Sequence, residues 1–170
     1  DEIKNWDHQN EAFIYSRFNS ESYINKLSEG APFNRSYRMN VPNPVGHALL
    51  IHGLTDSPYS MKAASDSLLS RGFNITVLRL PGHGTLPSMM TEMSFKDWDA
   101  AVRIAARDVA KRTPANQPFY IVGHSTGGTL ALQYALDALD DKSLRRPDRV
   151  IAFSPAVQIT DVADVAAIID

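Results

Sequence analysis

The sequence contains no cysteine, and that absence excludes a disulfide framework, a thiolate metal site and a cysteine nucleophile together. An excess of charge of one sign is also missing: 17 Lys and Arg stand against 19 Asp and Glu, for a formal net charge of −2. No basic run is longer than Arg145-Arg146, which has Asp141 and Asp148 close by, and this argues against nucleic acid as a partner. No apolar stretch approaches the roughly 20 residues that a membrane-spanning helix needs. Histidine is scarce and one-sided, because all five, His8, His47, His52, His83 and His124, lie before residue 125. The first residue is Asp1 rather than Met, which predicts a processed or trimmed N-terminus and leaves a cytoplasmic and an exported or anchored protein equally open.

What is present is an ordinary globular composition. With 170 residues, 44% of them hydrophobic, the length alone predicts one domain with one core. Four short apolar runs, Ala48 to Ile51, Ile75 to Leu78, Phe119 to Val122 and Val150 to Phe153, are continuous rather than alternating. That is how strands buried on both faces of a parallel sheet read. Helical patterns separate them. One runs from about Met61 to Ser70 and stops at Gly72. A second follows Ser94, with Asp97 three positions on, Phe95, Trp98, Val102, Ala106 and Val109 at helical spacing, and Pro114 beyond its end. A third, from about Thr126 to Leu139, is apolar nearly all round and predicts a central, buried helix.

The alternation of strand and helix predicts an α/β fold, a mostly parallel sheet with helices on both faces. Residues 1–45 read as a leader packed on the domain, with a helix near Glu11 to Phe18 or Glu21 to Leu27. Residues 46–155 form the core, and 156–170, with Val162, Val165, Ala166 and Ile169 at helical spacing, read as the start of a cap.

The segment richest in chemistry is Phe119 to Leu130, FYIVGHSTGGTL. It holds Gly123-His124-Ser125-Thr126-Gly127, a G-x-S-x-G between a strand and a helix, the setting in which this pattern makes a nucleophile turn. A serine projected from a tight strand-to-helix turn needs neighbours without Cβ atoms, and Gly123 and Gly127 supply them. Helix initiation just after Ser125 aims backbone N–H groups at any oxyanion formed there. The competing reading of Ser125 is a helix N-cap in a glycine-rich turn.

A second segment, Leu49-Leu50-Ile51-His52-Gly53-Leu54, is a strand running into His-Gly, where Gly53 permits a tight turn that lets the Leu54 N–H face the site. His52 and His83 read as turn-organising residues more readily than as bases. His124 adjoins the serine, but adjacent side chains on such a turn point apart.

Together, LLIHGLTDSPYSM, RLPGHGTLPS and VGHSTGG, in that order, resemble the α/β-hydrolase superfamily, within it the carboxylesterase, monoacylglycerol lipase and serine-aminopeptidase-like branch. The resemblance covers about Val45 to Pro155. It implies a serine nucleophile at Ser125, an oxyanion hole from the N–H groups of Leu54 and Thr126, and a cap inserted after the strand ending near Ser154. Acyl transfer of this kind calls for no cofactor and no metal, and the substrate class it implies is a small-molecule ester or acyl compound, lipid esters among them.

The same resemblance places the acid and then the base downstream of the serine. No histidine follows Ser125. Of the aspartates that do, Asp137, Asp140 and Asp141 sit on or at the end of the helix after it, Asp148 precedes the next strand, and Asp161, Asp164 and Asp170 come later still. The strand Val150 to Phe153 would also be left apolar at an open edge. These features predict a remaining C-terminal part of the catalytic domain that supplies acid and His. The alternative is a hydrolase-like, non-catalytic module that binds a ligand or partner.

Overall fold

The computed structural model describes residues 34–84 and 87–157. The expected leader helix and the residues at 160–170 lie outside that range. Five strands form one sheet: β1 (Tyr37–Met39), β2 (Gly46–Ile51), β3 (Phe73–Leu78), β4 (Phe119–His124) and β5 (Arg149–Phe153). Their order across the sheet is β1-β3-β2-β4-β5. β1 runs antiparallel to β3, and the other pairs are parallel. Among the described residues, three α-helices complete the scaffold: α1 (Lys62–Leu69), α2 (Phe95–Arg112) and α3 (Thr126–Asp140).

The apolar run of β2 has the cause expected of it, since every residue of that strand is buried; β5 is the exception, its residues being half-buried or exposed at the sheet edge. Ala48 and Leu50 pack with Ile75, Val77, Val122 and Met61 against Ala64 and Leu68 of α1. Leu49 and Ile51 point the other way and meet Val102, Ala106 and Val109 of α2 and Leu130, Ala131 and Tyr134 of α3. Helices therefore cover both faces.

The helix ends follow their signals. Gly72 adopts φ 84° just past α1, a left-handed conformation that disfavours residues with a Cβ. Ahead of α2, Asp97 accepts the Ser94 N–H at 2.8 Å and the Ser94 hydroxyl at 2.6 Å.

Two features differ from the sequence reading. α3 is not buried all round: Leu130, Ala131, Tyr134 and Ala138 face the sheet, while Leu136 is 60% exposed. A helix lying on one face of a sheet buries mainly one stripe; α2 flanks α3 through the Arg103–Asp137 pair, while Leu136 and Leu139 remain exposed. β1, a strand the apolar pattern does not reveal, lies inside the stretch 1–45, and its three residues pair with Ile75, Thr76 and Val77.

This topology locates a crevice. From β2 the chain turns through α1 toward β3 on one side, and from β4 it turns through α3 toward β5 on the other. The connections leave these two neighbouring strands in opposite directions, and in open parallel sheets ligands bind outside the carboxyl ends of the strands at such a switch point. Those ends are His52-Gly53-Leu54 after β2 and Ser125 after β4.

Candidate active site

Ser125 follows β4 with φ 50° and ψ −119°. For a residue with a Cβ this is strained backbone, costing on the order of 1–3 kcal/mol. Neighbouring backbone holds it there. The Ser125 N–H donates to the Phe153 carbonyl at 2.9 Å, and the Ser125 carbonyl accepts from Thr129 N–H at 3.1 Å and Ala156 N–H at 3.4 Å. The residue stands at the N-terminus of α3, yet its side chain makes no capping hydrogen bond. The geometry thus lacks both marks of a capping serine, an extended backbone and a hydroxyl turned onto the helix.

The two glycines of the pentapeptide are steric necessities. A Cβ on Gly123 would lie 2.1 Å from the Gly127 carbonyl oxygen, and one on Gly127 would lie 2.3 Å from that of Ile51 and 2.5 Å from that of His52. The first turn of α3 thus sits in backbone contact with the ends of both β4 and β2. The loop after β2 closes in as well, because a Cβ on Gly53 would lie 3.2 Å from the Ser125 Cβ and 3.1 Å from His124 Nδ1. Leu54, the next residue, is largely exposed, and Thr126 is partly so. As the first residue of α3, Thr126 has an N–H with no intrahelical acceptor, at the end of the helix where the dipole favours negative charge.

The histidines divide cleanly. His52 is fully buried, its Nδ1 lies 2.8 Å from the Gly53 carbonyl oxygen and its Nε2 accepts the Leu80 N–H at 3.1 Å. Burial lowers its pKa to about 4, so it is neutral at pH 7. His83 is buried too, with Nδ1 3.0 Å from the Pro81 carbonyl oxygen, which also accepts the Trp98 Nε1–H at 3.1 Å. Both rings organise turns. His47 lies near the opposite end of β2, its pKa lowered to about 4 first by burial and then by the Arg112 charge. His124 is exposed at the end of β4, and His8 falls outside the described residues.

Three of the four described aspartates beyond Ser125 are committed elsewhere, and the fourth, Asp140, is exposed at the last residue of α3. Asp137 pairs with Arg103 and accepts from Gln133, Asp148 accepts the Phe119 N–H at 2.8 Å, and Asp141 accepts the Ser143 N–H at 2.9 Å. Asp161, Asp164 and Asp170 lie outside the described residues. Met89 and Met93 close over Gly82, at φ 77°. Among the described residues no cluster of acidic, histidine and cysteine side chains could hold a metal ion, and no helix is long and apolar enough to cross a membrane.

Sequence reasoning missed the segment Phe153 to Ala156. Its carbonyl and N–H groups clamp Ser125, Ser154 takes φ 44°, and Pro155 packs on Gly128. Only the proline after the strand signals a special turn. An open groove of about 770 Å³ lies at the opposite margin of the sheet, between Tyr37, Arg38, Thr76, Leu78, Ile104 and Asp108, and none of the predicted site residues lines it.

Comparison with known proteins identifies the family. The profile of the family described as "Serine aminopeptidase, S33" matches residues 42–169. The thermostable monoacylglycerol lipase of Bacillus sp. (strain H-257) is 37% identical over 109 residues, which is 64% of this chain and 40% of that lipase. A solved structure of the metagenome-derived lipolytic enzymes LipS and LipT superposes with a TM-score of 0.66 at 26% identity, covering 79% of this chain and 52% of its own. The fold is shared with the monoacylglycerol lipase of Paleococcus ferrophilus, with a TM-score of 0.57 at 22% identity over 79% of this chain and 50% of that one. The chain thus spans 40% of the curated lipase and about half of each solved structure. With the motifs, the sheet order and a profile match over residues 42–169 in agreement, the chain belongs to the serine aminopeptidase S33 family of the α/β-hydrolase superfamily.

Proposed function

We propose that these residues carry the nucleophile and oxyanion half of a serine hydrolase that cleaves carboxylic esters, lipid esters among them, through an acyl-serine intermediate. The observation that carries the reading is the strained backbone of Ser125 at the switch point of the sheet, φ 50°, with the turn after β2 so close that a Cβ on Gly53 would lie 3.2 Å from the Ser125 Cβ. In the reaction, the Ser125 hydroxyl oxygen attacks the ester carbonyl carbon as a base removes its proton. The N–H groups of Leu54 and Thr126 donate to the resulting oxyanion. Collapse expels the alcohol, which takes up the proton, and water then releases the acid from Ser125 by the same steps in reverse.

His52 and His83 are occupied in turns, so the base and its acid come from residues beyond those described. Loss of a triad member costs on the order of 10⁴ to 10⁶ in rate, so the reading requires that they be supplied. The 37% identity over 109 residues to a monoacylglycerol lipase supports ester cleavage and, within it, a monoacylglycerol-like substrate.

The test is a fluorophosphonate probe applied to the full-length protein that contains these residues. Labelling that disappears in Ser125→Ala supports the assignment. A protein that stays unlabelled, or a variant that labels equally, overturns it in favour of a binding module.

A further inference from the structure

We infer that His52 is a positioning residue for the oxyanion site, locking the Gly53–Leu54 peptide so that the Leu54 N–H faces away from the core, on the side of Ser125. The inference rests on the hydrolase reading above and deepens it.

The Leu80 backbone N–H donates to His52 Nε2 at 3.1 Å. A backbone N–H only donates, so Nε2 is the unprotonated nitrogen of the neutral ring and Nδ1 carries the hydrogen. That Nδ1–H lies 2.8 Å from the Gly53 carbonyl oxygen and donates to it. The described chain contains no cis peptide bond, and in a trans peptide the carbonyl and the following N–H point in opposite directions. Drawing the Gly53 oxygen toward an imidazole with no exposed surface turns the Leu54 N–H outward. Outward, at this point, is the side of Ser125, whose Cβ lies 3.2 Å from where a Gly53 Cβ would be.

The ring itself cannot turn freely. Its anchor, Leu80, is 28 residues away at the end of β3, and His83 packs edge-on against it at 5.0 Å, with Trp98 against His83 in turn at 5.4 Å. A flipped ring would face the Leu80 N–H with a carbon and leave the Gly53 oxygen without its donor. Histidine alone offers a donor at the δ position and an acceptor at the ε position of one rigid neutral ring. Asn can keep the donor toward Gly53, and Gln can keep the acceptor toward Leu80, so the two bonds are separable.

The experiment measures p-nitrophenyl butyrate hydrolysis by the full-length wild-type, His52→Asn, His52→Gln and Ser125→Ala proteins, with melting temperatures alongside. Misplacing one oxyanion donor costs less than deleting it, so His52→Gln should lose about 10- to 100-fold in kcat at little changed KM. His52→Asn should stay within a few-fold of wild type although it is also destabilised. Equal kcat for the two variants, with wild-type turnover that depends on Ser125, overturns the inference and leaves the hydrolase reading standing. No Ser125-dependent turnover in the wild type removes both. Long-range nitrogen-15 NMR of the wild type decides independently of how the variants fold: His52 protonated on Nδ1 supports the lock, and protonated on Nε2 it refutes it.

Discussion

The burial of His52 makes a prediction whose size follows from the structure. Its ring has no exposed surface, and burial brings its pKa from 6.5 to about 4, opposed by the hydrogen bond to Gly53 and assisted by the neighbouring His83. Asp56 and Arg79 act on it with opposite signs and smaller effects. Because the folded value lies below the unfolded one, the unfolded chain takes up the proton first as pH falls. The contribution to stability is complete above pH 6.5, is lost between 6.5 and about 4, and changes no further below that, where both states are protonated. At 1.4 kcal/mol per pH unit the displacement is worth about 3 kcal/mol. Protonation also places an N–H on Nε2 facing the N–H of Leu80, so the bond between β3 and the turn fails at the same time. Urea unfolding of the full-length wild-type and His52→Asn proteins from pH 7.5 to 4 isolates the effect, since every other titrating group is common to both. The stability gap between them should narrow by about 3 kcal/mol as pH falls. A gap that stays constant would refute the argument that this ring is held neutral.

Two substitutions test the scaffold elsewhere. Gly127→Ala forces a Cβ to within 2.3 Å of the Ile51 carbonyl oxygen, whereas Gly128→Ala meets nothing closer than 3.2 Å; the first should cost at least about 1–3 kcal/mol in urea unfolding and abolish probe labelling of Ser125, and the second should do much less. The Arg145 guanidinium donates to the carbonyls of Thr113 and Gln117, both at 2.7 Å, and Lys cannot fork to both, so Arg145→Lys should lower stability by about 1–2 kcal/mol, with an unchanged melting temperature counting against that tie.

The parts of the molecule legible in the sequence are those fixed by local crowding or by burial on two sides. Ala48 to Ile51 reads as a strand because Ala48 and Leu50 face one helix layer while Leu49 and Ile51 face the other. Gly123 and Gly127 announce the turn at Ser125 because the atoms they must admit lie in the same strand-turn-helix unit or just beneath it. Tyr37–Met39 gives no such signal. Three residues with one exposed position in the middle carry neither a period nor a run, and pairing with β3 alone makes them a strand. The helix after Ser125 reads as buried all round because composition counts apolar residues without saying which of them a sheet will cover. His52 shows a similar limit: its place after a strand suggests a turn, but its acceptor role depends on Leu80, 28 residues on.

The geometry of Ser125 is therefore a property of the sheet as well as of the pentapeptide. Its strained φ is held by hydrogen bonds to Phe153 and Ala156, which flank the end of β5, and β5 is joined to β4 in register along one edge only among the described residues. Phe153 is 49% exposed, so the strand that supplies the clamp is the least covered of the parallel strands. A strained conformation persists only where its surroundings over-determine it. Whatever packs on the outer edge of β5 consequently stabilises the Ser125 turn, even without touching the serine. A chain region that supplies the base the proposed reaction requires and also pairs with β5 would thus set both the protonation and the backbone of Ser125, and truncations that uncover β5 should relax φ at Ser125 before they unfold β2.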